Sequence, residues 1–227
     1  MGKHKPAQSR RRERRAALGG WYKDTTGNKV LNRATTNFNE VTVESYDMAT
    51  LGPRKWVNDA IIDSYGAMIE KRDDSVLYIT YQQMLKLGQK KAMKTLAEKV
   101  DLLQYRLVLF PVNKGNEHWL LVVLNKDNKS LDIYDSLTKD NTKPVEAIKL
   151  LMVLSHKIHR PETTLDITNW TTKLMSSLQQ TDDFSCGILA IGNMRTAALR
   201  CQPYTMEEAR KMRIIIAREI QRGIFLH

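Results

Sequence analysis

The stretch of sequence that decides the fold is residues 106–136, which read RLVLFPVNKGNEHWLLVVLNKDNKSLDIYDS. Within this stretch, three runs rich in Val, Leu, Ile and aromatic residues are typical of short, neighbouring β-strands. The predicted strands cover residues 106–113, 118–125 and 130–136. Turn-forming residues at 126–129 connect the last two runs, which predicts an antiparallel hairpin.

This hairpin brings two chemically useful side chains to the same end of the sheet. If its strands pair around the turn at 126–129, residue 118 lies opposite residue 136 or 137. His118 and Asp135 are therefore expected to lie close together, with His118 at an exposed sheet edge. Taken singly, His118 could be a structural histidine and Asp135 could simply begin a turn.

Helical patterns on both sides of these strands predict the layers that cover the sheet. The predicted helices span residues 58–71, 80–100 with an interruption at Gly88, 142–159 and 187–199, and a last helix begins after a capping box formed by Thr205 and Glu208. One further strand is predicted over residues 163–170. Together these elements predict an α+β fold with a central mixed sheet flanked by helices.

The composition is that of a soluble globular protein, with 42% hydrophobic and 27% charged residues in a chain of 227. No apolar run is long enough to cross a bilayer, and the amino terminus lacks the apolar stretch of a secretory signal, so no membrane contact is expected. Two cysteines, Cys186 and Cys201, provide no disulfide framework. A reducing intracellular compartment, the nucleus or the cytoplasm, fits best.

The formal net charge of +11 is concentrated at the amino terminus. Residues 1–20 are polar and basic and end in Gly19-Gly20, so we predict a disordered basic tail followed by a single domain over residues 21–227. Two interpretations of the tail stay open. It is either a solvated extension or an arm that makes weak contact with importin or nucleic acid.

Cys186 is the candidate nucleophile, because it lies where a polar loop meets a predicted helix. Backbone N–H groups at a helix start, or a neighbouring imidazolium, stabilise the reactive thiolate. His118 is the remaining partner after the other four histidines are placed in the tail, at the carboxyl terminus and on a surface helix. Alone, a cysteine at such a junction is more often a small buried apolar residue.

Two further side chains would complete a thiol-hydrolase site. Asp135 would orient the imidazole of His118 through its second nitrogen. The side-chain amide of Gln180 would stabilise the oxyanion that forms when the thiolate attacks a carbonyl group. A surface glutamine is common in a polar loop, so this assignment depends on the other three residues.

Four motifs carry a resemblance to a known family. They are Trp56-Val57-Asn58-Asp59, Asn116-Glu117-His118-Trp119, Tyr134-Asp135-Ser136-Leu137, and the segment from Gln180 to Ser185-Cys186-Gly187. In their order and spacing these motifs resemble the deSUMOylating cysteine proteases, a family that includes the sentrin-specific proteases and their deneddylating relatives. The resemblance covers roughly residues 46–200.

The resemblance implies a papain-like cysteine protease in which Cys186, His118, Asp135 and Gln180 are catalytic. Its substrate would be a ubiquitin-like modifier of the SUMO or Nedd class, processed or released from conjugates after a terminal Gly-Gly. We expect a monomer that needs no metal and no organic cofactor. Because such proteases cut after Gly-Gly, Gly19-Gly20 could be a self-processing site, but a flexible junction before the domain is the favoured explanation.

The resemblance also implies substrate-binding residues. Trp119 would wall the narrow channel that admits the Gly-Gly tail, and Trp56 would lie near it, with core packing as the alternative for both. Asp59 would meet a basic residue of the modifier, or it stabilises the start of its own helix. The family usually has aspartate where this chain has Ser185, which removes a charge beside the thiolate.

Three other functions compete with this interpretation. A viral-type protease that cuts precursors at Gly-Gly sites, or an effector-like acetyltransferase that carries an acyl group on its cysteine, would use the same fold. A basic nucleic-acid-binding protein with a protease-like scaffold would explain the tail. The retained catalytic side chains argue against the nucleic-acid-binding protein. So does the absence of aromatic residues interleaved with the basic ones in the tail.

Overall fold

The computed structural model describes residues 21–23, 29–31, 36–38, 41–137, 140–201 and 205–226. The predicted basic tail, residues 1–20 with Gly19-Gly20, lies outside the described residues. The predicted division at residue 21 therefore stays a prediction.

The centre of the molecule is a five-stranded sheet, preceded in the chain by two short antiparallel strand pairs. The strands of the two pairs are β1 (Trp21–Lys23), β2 (Lys29–Leu31), β3 (Thr36–Phe38) and β4 (Val41–Val43). The strands of the sheet are β5 (Val76–Tyr78), β6 (Leu107–Lys114), β7 (His118–Asn125), β8 (Ser130–Tyr134) and β9 (Thr171–Leu174), in that spatial order. The β5–β6 and β8–β9 pairs are parallel and the pairs between them are antiparallel, so the sheet is mixed, as predicted.

Seven α-helices and three short 3₁₀ turns are assigned in the described part of the chain. The helices are α1 (Ser45–Met48), α2 (Asp59–Arg72), α3 (Tyr81–Met84), α4 (Lys90–Lys99), α5 (Thr142–His159), α6 (Cys186–Leu199) and α7 (Met206–Arg222). The helix predicted over residues 80–100 is divided, because α3 ends at Met84 and the turn that contains Gly88 separates it from α4. The capping box predicted at Thr205 and Glu208 is present.

The strand predicted over residues 163–170 is wrong. That segment contains a 3₁₀ turn, Ile167–Asn169, and the strand begins only at Thr171. The physical reason is the side chain of Asp166, whose Oδ1 accepts hydrogen bonds from the backbone N–H and the hydroxyl of Thr168. Local side-chain bonds of this kind satisfy backbone donors that a strand would offer to its neighbour.

The predicted hairpin is confirmed by the register of β7 and β8, in which Leu121 faces Tyr134. Continued to the start of β7, this register places residue 118 opposite residue 137. A tight turn leads into β7, and its Gly115 has a left-handed φ of 64°, a conformation that glycine adopts at no steric cost. The expectation that His118 is exposed is wrong, because β7 is the central strand and the side chain is 3% exposed.

Side chains alternate along the sheet between two hydrophobic cores. Leu121 and Val123 belong to the core that contains residues of α2, α6 and α7. Leu120 and Val122 belong to the core on the opposite face, with residues of α4 and α5. Helix α6 is apolar on nearly every side, and most of its side chains are buried. Within the described ranges, no helix has the length and apolar character needed to span a bilayer.

Candidate active site

Cys186 is the first residue of α6 and is 4% exposed. The loop before it is fixed by Asp182, whose Oδ1 accepts hydrogen bonds from the backbone N–H groups of Phe184 (3.0 Å) and Ser185 (2.8 Å). The second oxygen, Oδ2, accepts a bond of 2.8 Å from the hydroxyl of Ser185. A carboxylate therefore holds the backbone on the amino-terminal side of the thiol, although residue 185 itself is neutral.

A side chain of α7 also holds this loop in place. The guanidinium of Arg213 is buried and donates hydrogen bonds to the backbone carbonyl groups of Phe184 (3.0 Å), Gly52 (3.1 Å) and Thr50 (3.3 Å). Burial lowers the pKa of Arg213, and the negative charges of Asp182 and of the Cys186 thiolate act in the opposite direction. The guanidinium therefore contributes positive charge to the surroundings of the thiol.

His118 and Asp135 form a buried pair at the end of β7 and β8. Nε2 of His118 lies 2.6 Å from Oδ1 of Asp135, and the two side chains are almost completely shielded from solvent. Within the described part of the chain, no oxygen or nitrogen atom hydrogen-bonds to the other ring nitrogen, Nδ1. The thiol of Cys186 interacts with the imidazole and favours its charged form. The predicted grouping of Cys186, His118 and Asp135 is therefore present in the structure.

The surroundings of His118 favour the imidazolium ion. Burial lowers its pKa, but the hydrogen bond to Asp135, the interaction with Cys186 and the charges of both groups outweigh burial and raise the pKa to about 9. An imidazolium next to a thiol stabilises the thiolate, which is the nucleophilic form. The arrangement therefore places a charged imidazole ring beside the thiol of Cys186.

Several groups hold the carboxylate of Asp135. Its Oδ1 also accepts a hydrogen bond of 2.9 Å from the backbone N–H of Leu137, and its Oδ2 accepts one of 3.0 Å from the side-chain amide of Asn141. The side chain of Gln179 donates to the backbone carbonyl of Asp135 at 3.0 Å. These bonds leave the carboxylate little freedom to turn away from His118.

Gln180 lies between β8 and the loop that precedes Cys186. Its Oε1 accepts a hydrogen bond of 2.7 Å from the hydroxyl of Ser136, and its Nε2 donates one of 2.7 Å to the carbonyl of Asp182. Its backbone N–H donates to the carbonyl of Ser136 at 3.1 Å. The amide group is therefore held at both ends, and one of its two N–H bonds is directed at Asp182.

Trp119 packs directly against the start of α6. Its Nε1 donates a hydrogen bond of 3.1 Å to the carbonyl of Val57, and its ring meets that of Tyr81 edge-to-face with 4.9 Å between centroids. A Cβ added to Gly187 would lie 2.9 Å from Cβ of Val57 and 3.3 Å from Cδ1 of Trp119. Glycine after Cys186 is therefore required for this close approach of α6 to Val57 and Trp119.

The other two predicted substrate-binding residues lie next to this contact. Trp56 directly precedes Val57 and is 47% exposed, so its ring is available to a ligand. Asp59 is the first residue of α2 and is half-buried, with Nε2 of Gln82 3.4 Å from its carboxylate. Its place in the first turn of α2 suits the helix dipole, and its role in binding stays a prediction.

Three residues of this site were not identified from the sequence: Asp182, Arg213 and Asn141. Asp182 precedes Ser185 by three residues, a spacing that permits the observed side-chain-to-backbone bonds and could have been noticed. Arg213 lies on a helix with several other basic residues, and nothing in the local pattern distinguishes it. Asn141 precedes a helix, where asparagine is common because its side chain can cap the first turn.

The mixed sheet flanked by helices, with a cysteine at the start of α6 and a histidine–aspartate pair on the central hairpin, defines a papain-like cysteine protease fold. A comparison with protein families matches residues 55–226 to the Ulp1 protease family, C-terminal catalytic domain. This chain belongs to that family. The resemblance found in the four sequence motifs is thereby confirmed.

Curated relatives include sentrin-specific protease 5 of Homo sapiens, which is 28% identical over 191 residues covering 81% of this chain and 24% of that protein. Ubiquitin-like-specific protease 1 of Saccharomyces cerevisiae is 24% identical over 196 residues, covering 82% of this chain and 30% of that protein. The chain thus spans only between 24% and 30% of the length of these two relatives.

Solved structures agree with the assigned fold. The C-terminal Ulp1 protease domain in complex with Smt3, the yeast ortholog of SUMO, has a TM-score of 0.73 and 19% identity, covering 98% of this chain and 99% of that chain. The Chaetomium thermophilum Ulp1-like SUMO protease catalytic domain has a TM-score of 0.66 and 17% identity, covering 99% and 92%. These likenesses confirm the predicted papain-like fold.

Proposed function

We propose that this chain is a thiol-dependent hydrolase of peptide or isopeptide bonds that follow the terminal Gly-Gly of a ubiquitin-like modifier. The modifier is of the SUMO or Nedd class, and the reaction processes its precursor, releases it from conjugated proteins, or does both. Family membership and the Smt3 complex of a structural relative support this choice of substrate. We further propose that the enzyme acts as a monomer in the nucleus or the cytoplasm.

The observation that carries the proposal is the buried pair of His118 and Asp135, 2.6 Å apart, with Cys186 beside the imidazole at the start of α6. Each member alone has an ordinary structural explanation. Together they supply a nucleophile, a proton carrier and a group that orients the proton carrier, which is what acyl transfer to a thiol requires.

In the first half of the reaction, the Cys186 thiolate attacks the carbonyl carbon of the terminal glycine. The bond from sulfur to carbon forms as the carbonyl π electrons move to oxygen. His118 then gives its proton to the leaving amine as the carbon–nitrogen bond breaks. The products are the free amine and a thioester between the modifier and Cys186.

The oxyanion formed in this step needs hydrogen-bond donors. One N–H of the Gln180 amide is engaged by the carbonyl of Asp182, and we assign the second to the oxyanion. The backbone N–H of Cys186, in the first turn of α6, is the other donor. In the second half, His118 takes a proton from water, the hydroxide attacks the thioester, and the Cys186 thiolate leaves.

The surroundings of Gly187 place Trp119 beside the start of α6. Trp119 and Val57 approach the backbone of α6 so closely that even a methyl group on Gly187 would collide with Val57. We assign Trp119 as a wall of the passage for the modifier tail and Trp56, half exposed, as a contact at its side. We assign Asp59, at the start of α2, to a basic group on the modifier.

The decisive experiment is incubation of the purified chain with a panel of ubiquitin-like modifiers that carry carboxyl-terminal vinyl sulfone groups. Intact mass should show one adduct with a SUMO-class or Nedd-class modifier. Cys186→Ala should abolish the adduct. Cys201→Ala is the matched control, because it removes the other free thiol and should leave the adduct in place.

An adduct that persists in Cys186→Ala would refute the assignment of the nucleophile. If no modifier reacts while iodoacetamide still labels Cys186, the proposed substrate class is wrong and a precursor-processing protease becomes the better interpretation. Acyl transfer from acetyl-coenzyme A to a protein acceptor in the same preparation would instead identify an acetyltransferase.

A further inference from the structure

Asn141 immediately precedes α5, a position where asparagine normally caps a helix. Its side chain makes no capping hydrogen bond here. The neighbouring Asp140 satisfies the first turn instead, because its Oδ1 accepts bonds from the backbone N–H of Thr142 (3.0 Å) and from the hydroxyl of that residue (2.6 Å). The side-chain amide of Asn141 is therefore not used to cap α5.

The Asn141 side chain turns inward and is 7% exposed. Its Nδ2 donates a hydrogen bond of 3.0 Å to Oδ2 of Asp135, and its Oδ1 accepts one of 3.1 Å from Nζ of Lys114. Lys114 also donates to the backbone carbonyl of Asp140. A continuous line of hydrogen bonds thus runs from Lys114 through Asn141 and Asp135 to His118.

We propose that Asn141 is a positioning residue for the reaction, and that Lys114 orients its amide. The proposal rests on the proposed function, since it concerns the same site. Lysine can only donate hydrogen bonds, so it fixes the oxygen of the Asn141 amide on its own side and turns the NH₂ group toward Asp135. With Oδ2 held in this way, Oδ1 stays on the line to Nε2 of His118.

The charge of each member fits this role. A cation placed directly on Oδ2 of Asp135 would compete with the imidazolium for the carboxylate. The neutral amide of Asn141 holds the carboxylate without neutralising it, while the positive charge of Lys114 stays one side chain farther away. The negative charge of Asp135 therefore remains directed at His118, whose charged form it stabilises.

The test uses a signal that needs no substrate. A ring N–H held in a hydrogen bond as short as 2.6 Å gives a proton resonance far downfield, and the resonance that disappears in Asp135→Ala belongs to Nε2 of His118. In Asn141→Leu, which removes the donor at similar volume, we expect this resonance to move upfield or be lost. With a modifier-derived substrate, kcat should fall about tenfold with KM unchanged, the lower range for losing a hydrogen bond to a charged group.

The matched control is Asn125→Leu. Asn125 donates from Nδ2 to Oδ2 of Asp132 at 3.3 Å, so it makes the same amide–carboxylate contact at the far end of the same hairpin. This substitution should leave the His118 resonance in place. If Asn141→Leu does not fold, Lys114→Met decides, and it should shift the resonance in the same direction by a smaller amount.

The proposal is overturned if folded Asn141→Leu, or Lys114→Met in its place, leaves both the resonance and kcat unchanged. A lower melting temperature with an unmoved resonance would show that Asn141 acts only on stability. If no modifier reacts with the wild-type chain, the proposed function fails, but the resonance still tests Asn141.

Discussion

The substitution Asp135→Asn tests the electrostatic basis of the site. It keeps the shape of the side chain and removes the negative charge that lies 2.6 Å from Nε2 of His118. In the wild-type protein, burial lowers the pKa of His118, yet Asp135 and Cys186 together raise it to about 9. Without the carboxylate, burial still lowers the pKa of His118, and the interaction with Cys186 is what remains to raise it.

The size of the effect follows from that pKa. A rise from 6.5 to about 9 corresponds to about 3 kcal/mol of preferential stabilisation of the imidazolium ion, since each pKa unit is 1.36 kcal/mol. We expect Asp135→Asn to return the pKa of His118 to about 6.5. At pH 7.5 the imidazolium fraction then falls from roughly 97% to roughly 9%, so the loss of charged imidazolium alone lowers activity about tenfold.

Two measurements check this prediction. The ring C–H resonance of His118, identified by its absence in His118→Asn, should titrate near pH 9 in the wild type and below pH 7 in Asp135→Asn. The alkylation of Cys186 by iodoacetamide at a fixed pH of 7.5 should be slower in the variant, because the sulfur loses its imidazolium partner. Asp132→Asn is the control, since Asp132 is buried on β8, three residues before Asp135, and contacts Ser130 instead.

The sign of the stability effect gives a second check on the same variant. The folded pKa of His118 lies above the unfolded value of 6.5, so its contribution to the free energy of unfolding is complete below pH 6.5. That contribution is lost as pH rises through about 9. Urea unfolding should show this loss in the wild type and not in Asp135→Asn. A titration of His118 that stays near pH 9 in the variant would refute the reasoning.

Three further predictions concern the packing and the buried charges. Gly187→Ala should cost about 1–3 kcal/mol of stability and slow alkylation of Cys186, because its new Cβ would lie 2.9 Å from Val57, as thermal melts and labelling rates would show. Burial raises the pKa of Asp63 to about 6, so the folded wild-type protein binds this proton more tightly than the unfolded chain and loses stability as pH rises from 4 to 6. Asp63→Asn should remove this loss, which urea unfolding at pH 4 and at pH 6 would measure. Arg195→Met should destabilise the fold by about 3–5 kcal/mol in urea, because it leaves the fully buried carboxylate of Glu219 without its 2.6 Å ion pair. An unchanged unfolding midpoint would contradict the first and third predictions, and a retained pH dependence in Asp63→Asn would contradict the second.

The central hairpin and the start of α6 could be predicted from the sequence because their signals are local. Two apolar runs and the turn at 126–129 indicate the register of β7 and β8, and that register alone brings His118 and Asp135 to one end of the sheet. The predicted start of α6 differs from the observed one by a single residue, Cys186 instead of Gly187. Both predictions depend on residues that are neighbours in the chain.

The features that could not be predicted depend on contacts between distant segments. The burial of His118 depends on its flanking strands and on the helices that cover them, which no local pattern reports. Arg213 resembles an exposed basic residue of an amphipathic helix, yet it reaches three carbonyl groups from two other segments. Asn141 has the sequence signature of a helix cap, and only the fold shows that it contacts Asp135.

The spacing of the site along the chain has a consequence for biosynthesis. His118 and Asp135 are 17 residues apart on one hairpin, so they can meet early, when loop closure is short and costs little entropy. Cys186 joins them only after α6 docks on the sheet, and the loop before it is held by Arg213 from the last helix. A nascent chain that ends before α7 therefore lacks the hydrogen bond from Arg213 to the loop before Cys186, and the complete set of contacts around the thiol forms only after α7 has been made.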